Sequence, residues 1–330
     1  MKVLVTGSSS LLGRSIVAGL EARGDTVTGF QRTPSQTHHS LVGDVRDRGA
    51  VLKAARGHDG VIHLAALVAP KPSWSDAYAV NVEGTSNVVD AAKDVGRLVH
   101  ISSPSVAFAH EACMGGDAEA PTYQGRDRYT RSKAIGERLV LEKSTVPTII
   151  IRPHLIWGPG DTQLVGRLLE RAMSGRLALP DHGRALIGTT YLDDAAAAII
   201  AALDRTGDSP HLSGRAFLVT GGDPRPVGEL VGGILAAFGI ERKMKSLPAP
   251  LARVLGSVIE RVWIGDEPPL TAFAAEQLSL AHWFDMSETE SSLHWQPKVS
   301  VDEGLQLLTT WASTELGQQF LNGLRSSSRV

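Results

Sequence analysis

The first twenty residues constrain the fold of this 330-residue chain more than any other stretch. A short run of β-branched and aliphatic residues, 2–6, leads into Gly7, and a pattern of helical period begins near Gly13. A strand, a tight turn and a helix N-terminus in this order present backbone N–H groups and a helix dipole to a phosphate. The pattern predicts a dinucleotide-binding unit. An ordinary strand-to-helix turn is the alternative, because Ser10 stands where the middle glycine is usual.

Strand-like and helix-like segments alternate along the rest of the chain, which is typical of an α/β, doubly wound parallel sheet. We predict a Rossmann-like domain in residues 1–153, with later contributions near 189–220. Residues 154–330 are expected to form mainly a smaller C-terminal substrate lobe of short helices. The predicted strands are 2–6, 26–30, 40–43, 60–65, 97–102, 147–152 and 215–220. The predicted helices are 11–23, 47–56, 74–95, 127–143, 163–174 and 193–204.

Composition narrows the class of protein. A hydrophobic content of 42% and a net charge of −2 are typical of a globular protein, and the absence of a basic block argues against nucleic-acid binding. Cys113 is the only cysteine, so we expect a reducing, cytoplasmic compartment and no disulfides. Because the first predicted strand starts at residue 2, we expect no signal or transit peptide. His38 and His39 lack further ligands nearby, so no metal site is predicted.

The end of the second predicted strand indicates the cofactor. An NAD site places a carboxylate there for the ribose 2′-hydroxyl, whereas an NADP site places a cation. Here the strand ends in Gln31 and Arg32, and no acid follows until Asp44. Because the guanidinium fork suits a phosphate, we predict NADP. NAD is the alternative if Arg32 is only a surface residue.

Tyr129 and Lys133 stand four residues apart, which places both side chains on one face of a helix. A phenol with a reference pKa of about 10 is a poor acid–base catalyst at neutral pH. A cation about 4 Å away, at an effective dielectric near 20, contributes roughly 4 kcal/mol, enough to lower that pKa toward 7. The pair predicts a proton-transfer device, with a solvated helix face as the alternative.

Further motifs accompany this pair, and with them the chain resembles the extended short-chain dehydrogenases/reductases over nearly its whole length. The departures, Ser8 and Ser10 for glycines and Leu11 for an aromatic residue, concern turn geometry. The resemblance implies hydride transfer coupled to proton transfer, with a nicotinamide cofactor and a commonly dimeric enzyme. The supporting motifs are residues 61–66, 81–85, 99–106, 152–153, 158–161 and 191–194.

The resemblance also implies a role for individual residues. Tyr129 would donate the proton, Lys133 would lower its pKa and bind the nicotinamide ribose, and Ser103 would hold the substrate oxygen. Ser102 and Ser105 are alternatives for this hydroxyl, because a one-residue slip in a strand reverses its face. The predicted catalytic residues are Tyr129, Lys133, Ser103 and Asn81, the last with a purely structural role as its alternative. The predicted cofactor-binding residues are Gly7, Ser9, Ser10, Leu11, Leu12, Gly13, Arg32, Asp44, Val45, Leu64, Ala65, Ala66, Tyr129, Lys133 and Pro153. The predicted substrate contacts are Ser105, His154 and Trp157, whereas His63 is expected to be a satisfied core histidine.

Substrate class is implied by a closer likeness to the 3β-hydroxysteroid dehydrogenase branch, and within it to bacterial 2-alkyl-3-oxoalkanoate reductases of olefin synthesis. This likeness implies reduction of a long-chain β-keto acid to the 3-hydroxy acid. The alternative is a 3β-hydroxysteroid or sterol-4-carboxylate dehydrogenase. A nucleotide-sugar epimerase or dehydratase is less similar, because residues 185–190 lack the arginine that grips nucleotide phosphates. The runs that carry the likeness are 30–32, 104–106, 152–161, 269–271 and 282–284.

Two surfaces of the protein are predicted to contact other parts of the chain or other molecules. Apolar residues at helical spacing in 251–263 predict a helix that packs in the lobe core or covers the substrate as a lid, with contact to a membrane surface as the alternative. By resemblance, Ile135, Leu139 and the 88–89 region could supply a homodimer surface. Two other classes are alternatives: a non-catalytic NADP-sensing regulator, and a subunit that assembles with other lipid-processing enzymes.

Overall fold

The computed structural model describes residues 1–35, 37–69, 72–107, 111–118, 127–241, 244–263 and 271–327. The strands are β1 (Lys2–Thr6), β2 (Thr26–Gln31), β3 (Ser40–Val42), β4 (Gly60–His63), β5 (Leu98–Ile101), β6 (Cys113–Gly116), β7 (Thr148–Pro153), β8 (Ile156–Trp157), β9 (Ala178–Pro180), β10 (Leu186–Ile187), β11 (Thr190–Tyr191), β12 (Arg215–Val219), β13 (Arg225–Pro226), β14 (Lys245–Leu247) and β15 (His282–Phe284). The helices are α1 (Leu11–Ala22), α2 (Arg48–Ala55), α3 (Trp74–Tyr78), α4 (Thr85–Ala92), α5 (Arg128–Lys143), α6 (Arg167–Met173), α7 (Leu192–Asp208), α8 (Val227–Ala237), α9 (Ala249–Val262), α10 (Ala272–Gln277), α11 (Ser287–Leu293), α12 (Val301–Ala312) and α13 (Glu315–Ser327).

A parallel sheet of seven strands forms the centre of the molecule, in the order β12-β7-β5-β4-β1-β2-β3. Each predicted strand is present within two residues at either end, so the predicted doubly wound α/β fold is confirmed. The order reverses between β1 and β4, and in open α/β sheets ligands bind beyond the carboxyl ends of the strands at such a point. Strand β12 pairs with β7, so residues 215–219 belong to the sheet that the first 153 residues otherwise build.

The helix predicted over 74–95 is interrupted. Helices α3 and α4 are separated by a π-helical turn, Ala79–Gly84, which is wider than an α-helical turn. Helix α5 passes close to this turn, since a Cβ atom on Gly136 would lie only 2.4 Å from the carbonyl oxygen of Asn81. The interruption therefore brings Asn81 against the helix that carries Tyr129.

The C-terminal part of the chain contains more than the predicted short helices. Strands of this part form a four-stranded sheet in the order β13-β10-β15-β6, whose edge strand β6 is contributed by the first 153 residues. Its strands have two to four residues each, too few for an alternating pattern to be recognised in the sequence. A separate hydrophobic cluster, which includes Trp157, Leu169 and Ile234, forms the core of this part of the molecule.

Helix α9 turns its large apolar side chains outward. Val254, Val258 and Val262 are 60%, 51% and 66% exposed, respectively. The inward face is made of small residues such as Gly256, where a Cβ atom would lie 2.7 Å from the Thr271 carbonyl oxygen. Core packing of this apolar stripe, one of the predicted interpretations, is therefore wrong, because close approach of the backbones selects the small face. Across the described ranges, no helix combines the length and apolar character needed to cross a bilayer.

Part of the predicted dimer surface is also wrong. Val88 and Val89 on α4 are each 1% exposed and belong to the hydrophobic core under the sheet. Both side chains therefore pack inside the chain and do not form part of a dimer surface. Ile135 and Leu139 on α5 are half-buried, and the homodimer stays a prediction.

Candidate active site

The turn between β1 and α1 leaves no room for side chains at its two glycines. Gly7 has a φ of +73°, and a Cβ atom there would lie 2.9 Å from the backbone nitrogen of Ala65. A Cβ atom on Gly13 would lie 2.5 Å from the Gly7 carbonyl oxygen. Ser10 caps α1, since its Oγ accepts a hydrogen bond of 3.0 Å from the Gly13 N–H. The serine thus performs a capping role that a glycine could not, and the tight turn is retained.

The first turn of α1 provides the donors for a phosphate. The backbone N–H groups of Leu11 and Leu12 open the helix and by helix geometry have no intrahelical acceptor. Ser9 and Ser10 are exposed beside them. Leu64, Ala65 and Ala66 follow β4 and are half-buried, and the Ala65 N–H donates to Thr6 Oγ1 at 3.2 Å. The turn after β1 and the loop after β4 therefore form one edge of the crevice where the strand order reverses.

At the carboxyl end of β2, the predicted cofactor residues differ in their exposure. Gln31 is 5% exposed, whereas Arg32 is exposed. Asp44 forms a surface ion pair with Arg46 (Nη2 to Oδ2, 2.7 Å), and this partner, together with Arg32, holds the pKa of the Asp44 carboxyl below its usual value. Val45 beside it is 7% exposed. Arg32 and Asp44 are thus close enough to interact, and no carboxylate stands at the strand end itself.

Asn81 joins the loop after β4 to helix α5. Its Oδ1 accepts a hydrogen bond from the Leu67 N–H at 2.7 Å, and its Nδ2 donates to the Leu67 carbonyl at 3.2 Å and to Ser132 Oγ at 2.9 Å. Ser132 Oγ in turn donates to the Tyr129 carbonyl at 2.8 Å. These bonds use both donors of the Asn81 amide. The geometry therefore favours a positioning role, the alternative in the sequence analysis, over contact with reacting atoms.

The predicted acid and the predicted substrate hydroxyl lie together beyond the carboxyl end of β5. Tyr129, on the first turn of α5, lies close enough to Ser103 for the serine hydroxyl to lower the pKa of the phenol. Ser103 Oγ also lies 2.9 Å from Ser105 Oγ, and Thr130 Oγ1 donates to Ser105 Oγ at 3.3 Å. Ser102 is buried, and its Oγ has no hydrogen-bond partner within the described part of the chain. Of the three candidate serines, Ser103 is therefore the one placed against the phenol.

Lys133 lies one turn further along α5 and points under the same edge of the sheet. Its Nζ donates to the carbonyl oxygen of Ile101, the last residue of β5, at 2.5 Å. Burial lowers the pKa of Lys133 to about 8, partly offset by the negative charge of Glu137. The ammonium therefore remains mostly protonated at neutral pH.

The expected fall of the Tyr129 pKa toward 7 is wrong for this arrangement of side chains. The pKa of Tyr129 is raised to about 12, mainly by burial; the nearby Ser103 hydroxyl opposes this rise, and the Asp127 carboxylate adds to it. The fall would require a solvated pair held at one fixed distance. The folded chain instead desolvates the phenol and directs the lysine to a backbone carbonyl. The phenol is thus held in its protonated form.

An ion pair without solvent contact fixes the position of helix α5 against the sheet. Arg152 on β7 and Glu137 on α5 are both 0% exposed. The Arg152 Nε donates to Glu137 Oε2 at 3.1 Å, and its Nη2 donates to Oε1. Two parallel hydrogen bonds define both distance and orientation. The pair therefore sets the register between the strand and the helix that carries Tyr129 and Lys133.

His63, near the site, is a structural histidine. His63 Nδ1 lies 2.7 Å from Thr6 Oγ1, and its Nε2 lies 3.1 Å from Thr85 Oγ1, so both ring nitrogens are satisfied. Burial, with a smaller contribution from the Lys133 charge, lowers the pKa of His63 to about 3. A neutral, fully bonded ring supports the expectation of a core histidine.

The substrate contacts expected on the C-terminal side lie deep in the fold. Trp157 is 1% exposed; its indole N–H donates to Thr189 Oγ1 at 3.0 Å and its ring packs edge-on against Tyr191. Its position is therefore that of a core residue and does not support a substrate contact. His154 is 7% exposed and lies against Phe284, and burial lowers its pKa to about 3. Pro153 at the end of β7 is half-buried.

The comparisons with known proteins agree with this geometry. Residues 3–217 match the NAD dependent epimerase/dehydratase family. A 2-alkyl-3-oxoalkanoate reductase of Stenotrophomonas maltophilia is 38% identical, over 93% of this chain and 98% of its own length. Another from Shewanella oneidensis is 34% identical over 92% and 84%. A 3-beta-hydroxysteroid dehydrogenase of Mycolicibacterium neoaurum is 28% identical over 92% and 89%. The crystal structure of an Agrobacterium tumefaciens short-chain dehydrogenase/reductase superfamily protein with bound NAD has a TM-score of 0.75 at 23% identity, and covers 98% of this chain and 100% of that one.

The chain belongs to the NAD dependent epimerase/dehydratase family. The predicted resemblance to extended short-chain dehydrogenases/reductases is confirmed, and the chain is an NAD(P)-dependent oxidoreductase. The glycine turn fits the pyrophosphate of such a cofactor. A Cβ atom on Gly7 or Gly13 would clash with neighbouring backbone atoms, so only glycine allows the tight turn that binds a pyrophosphate.

Several residues that shape this family member's site were not singled out from the sequence. Ser132 and Thr85 hold Asn81, and Glu137 pairs with Arg152. Ser8 and His38 bond each other near Gln31. Apart from Thr85, which lies four positions from Asn81, each of these residues bonds a partner 15 or more positions away, so no local pattern marks it. The polar residues Glu137 and Ser132 on the apolar side of α5 were the one available signal.

Proposed function

We propose that this oxidoreductase is an NADP(H)-dependent reductase that converts a long-chain 2-alkyl-3-oxoalkanoate to the 3-hydroxy acid. The observation that carries the proposal is the proximity of Tyr129 and Ser103 beyond the carboxyl end of β5, with the Lys133 ammonium bonded to the last residue of that strand. The substrate class is supported by the relative from Stenotrophomonas maltophilia, which aligns along nearly the full length of both chains. The preference for NADP is supported by Arg32 and by the lack of a carboxylate at the end of β2.

In the proposed reaction, the carbonyl carbon receives a hydride and the carbonyl oxygen receives a proton. Reduced nicotinamide, when bound, supplies the hydride. Ser103 donates a hydrogen bond to the carbonyl oxygen, and this bond strengthens as negative charge develops there. Tyr129 transfers its hydroxyl proton to the same oxygen, breaking its O–H bond and leaving a phenolate.

At neutral pH the chain holds the proton that reduction consumes. With a pKa of about 12, Tyr129 is a neutral phenol and a proton donor at neutral pH. The alkoxide that forms is a stronger base than a phenolate, so the transfer is downhill. Lys133 remains cationic below about pH 8 and opposes the cost of the phenolate. The oxidative direction would require the phenol to ionise first.

The exposed apolar face of α9 supports a lipid-like substrate. Exposing an apolar helix face to water is unfavourable, and this face is formed by Val254, Val258 and Val262. Its exposure is explained if the face contacts alkyl chains, either as a lid over the substrate or at a membrane surface. Sedimentation with phospholipid vesicles separates these two roles, since only membrane contact brings the protein down with the lipid.

Substrate-dependent oxidation of NADPH tests the proposal. A panel should contain 2-alkyl-3-oxoalkanoates, 3β-hydroxysteroids and nucleotide sugars, each tested with NADP(H) and NAD(H). We expect turnover of the β-keto acids with NADPH. Turnover of steroids alone, with NAD, would establish the 3β-hydroxysteroid dehydrogenase alternative instead.

Tyr129→Phe tests the assigned acid. Loss of a positioned proton donor costs about 10²- to 10⁴-fold in kcat, whereas nucleotide affinity should be unchanged. The matched control is Tyr78→Phe, which removes a hydroxyl from an exposed tyrosine on α3 and should leave turnover intact. Full turnover by Tyr129→Phe would reject Tyr129 as the acid.

A further inference from the structure

A buried amide at the end of β2 has donors without a partner. Gln31 is 5% exposed, and within the described residues its Nε2 has no hydrogen-bond acceptor. A buried donor left unsatisfied is destabilising, so natural structures rarely contain one without a reason. Dinucleotide folds read the adenosine 2′ position at this end of the second strand. The orientation of the Gln31 amide therefore decides whether donors or an acceptor are available there.

Ser35 begins a chain of hydrogen bonds that ends at this amide. Its Oγ accepts the backbone N–H groups of Thr37 and His38, at 3.2 Å and 3.3 Å. These two bonds occupy both lone pairs of the hydroxyl, so its proton is what remains to be shared. Two acceptors lie within reach of Ser35 Oγ, His38 Nδ1 at 2.9 Å and Thr37 Oγ1 at 3.3 Å; we assign the proton to His38 Nδ1 because it is the nearer.

The direction of the remaining bonds follows from His38. With Nδ1 as acceptor, the neutral ring carries its proton on Nε2, which donates to Ser8 Oγ at 3.0 Å. Burial lowers the pKa of His38, in keeping with a neutral ring. Ser8 Oγ then donates its own proton to Gln31 Oε1 at 2.5 Å. The amide oxygen is thereby occupied, and the two N–H donors are left over.

The backbone makes room for this chain of bonds. Ser8 is fully buried, so its side chain points away from solvent. A Cβ atom on Gly29 would lie 2.3 Å from Ser8 Oγ and 2.7 Å from His38 Nε2. Any larger residue at position 29 would displace both groups. The glycine in the middle of this buried strand therefore allows Ser8 and His38 to meet.

We propose that Ser35, His38 and Ser8 form a donor relay, which orients Gln31 so that its N–H groups select a 2′-phosphate on adenosine over a 2′-hydroxyl. A phosphate only accepts hydrogen bonds, whereas an unphosphorylated ribose is best read by an acceptor. The exposed guanidinium of Arg32, next in the chain, adds a charge that favours the same ligand. This inference rests on the proposed use of NADP(H). His38 and Ser8 are positioning residues, because they act through Gln31.

Calorimetric titration of the whole protein tests the relay without catalysis. The probes are adenosine 2′,5′-bisphosphate and adenosine 5′-monophosphate, which differ only in the 2′-phosphate. We expect the bisphosphate to bind at least tenfold more tightly, the size of one charge-assisted hydrogen bond. Binding of neither probe would remove both the proposed function and the relay. Equal binding of the two would leave a nucleotide site in place and overturn the relay alone.

Variants then assign the preference to these residues. Ser8→Ala and His38→Ala should each reduce the ratio of the two dissociation constants about fivefold to tenfold. Gln31→Glu, which places an acceptor at the same position, should reverse the preference. His39→Ala is the matched control: its side chain is exposed and adjacent, and the ratio should not change.

Two results would overturn the assignment even if the unaltered protein prefers the bisphosphate. One is an unchanged ratio in Ser8→Ala and His38→Ala, which would assign the preference to Arg32. The other is a Gln31→Glu variant that still prefers the bisphosphate. Ser8 is in the core and its variant could unfold. His38 lies in a loop, so His38→Ala tests the relay independently.

Discussion

Replacing Glu137 by Gln tests how strongly the buried ion pair holds the catalytic helix. Glu137 and Arg152 are both 0% exposed, and two parallel hydrogen bonds join them. The substitution keeps the shape of the side chain and removes its charge, so a buried guanidinium loses the carboxylate of this pair. We expect a marked loss of stability, since breaking a buried pair from one side costs about 3–5 kcal/mol.

The size of the effect can be expressed as a melting temperature. Unfolding entropy of roughly 2.1 cal/mol/K per residue gives about 0.7 kcal/mol/K for a chain of 330 residues. A loss of about 3–5 kcal/mol therefore lowers Tm by about 4–7 °C. Differential scanning calorimetry measures this shift, and urea unfolding at room temperature measures the free energy separately.

A surface pair is the matched control. Arg215 and Glu288 are 45% and 42% exposed, and the same change, Glu288→Gln, should cost no more than about 1 kcal/mol because water screens the pair. A double-mutant cycle with Arg152→Met isolates the coupling between Glu137 and its partner. The reasoning is refuted if Glu137→Gln and Glu288→Gln lower Tm equally, or if the cycle shows no coupling.

The remaining predictions concern the turn, the lysine and helix α9. Gly13→Ala should abolish nucleotide binding in a fluorescence titration, because its Cβ would lie 2.5 Å from the Gly7 carbonyl oxygen; Gly232→Ala on α8, with open space around it, should instead stabilise the protein by about 0.4–1 kcal/mol. The kcat/KM for reduction should fall above about pH 8, where Lys133 loses its proton, and a flat profile to about pH 10 would contradict this role. The same group affects stability in the opposite direction: its folded-state pKa of about 8 lies below the ordinary 10.5, so between these values the unfolded chain binds more protons and the free energy of unfolding rises with pH. Val254→Ser combined with Val258→Ser should change the unfolding free energy by less than about 0.5 kcal/mol per site, because both side chains are exposed. Gly256→Ala should lower Tm measurably, because its Cβ would lie 2.7 Å from the Thr271 carbonyl oxygen. A larger loss of stability in the valine variant than in Gly256→Ala would show that the outer face of α9 is covered.

The seven strands of the central sheet could be predicted from the sequence, and so could the position of the cofactor turn. Apolar runs such as 147–152 and 97–102 are bounded by polar or glycine-containing turns, so their signal is contained in a few adjacent residues. The same is true of Gly7 and Gly13, where the turn itself demands the residue type. Four-residue spacing likewise placed Tyr129 and Lys133 on one helix face, and both do lie at the edge of β5.

Tertiary structure decided whatever depends on burial or on groups far apart in the chain. Spacing could not show that desolvation would raise the pKa of Tyr129, or that Ser103 rather than Ser102 would meet the phenol. Periodicity correctly identified the apolar stripe of α9 but carried no information on which side faces the protein; the small residues at its inner face settled that. The bonds from His38 through Ser8 to Gln31 span loops that converge only when β1 and β2 pair in the sheet. Local sequence determines the elements of this protein, because each element satisfies its own backbone, whereas charge states and hydrogen-bond directions arise only after the elements exclude water from between them.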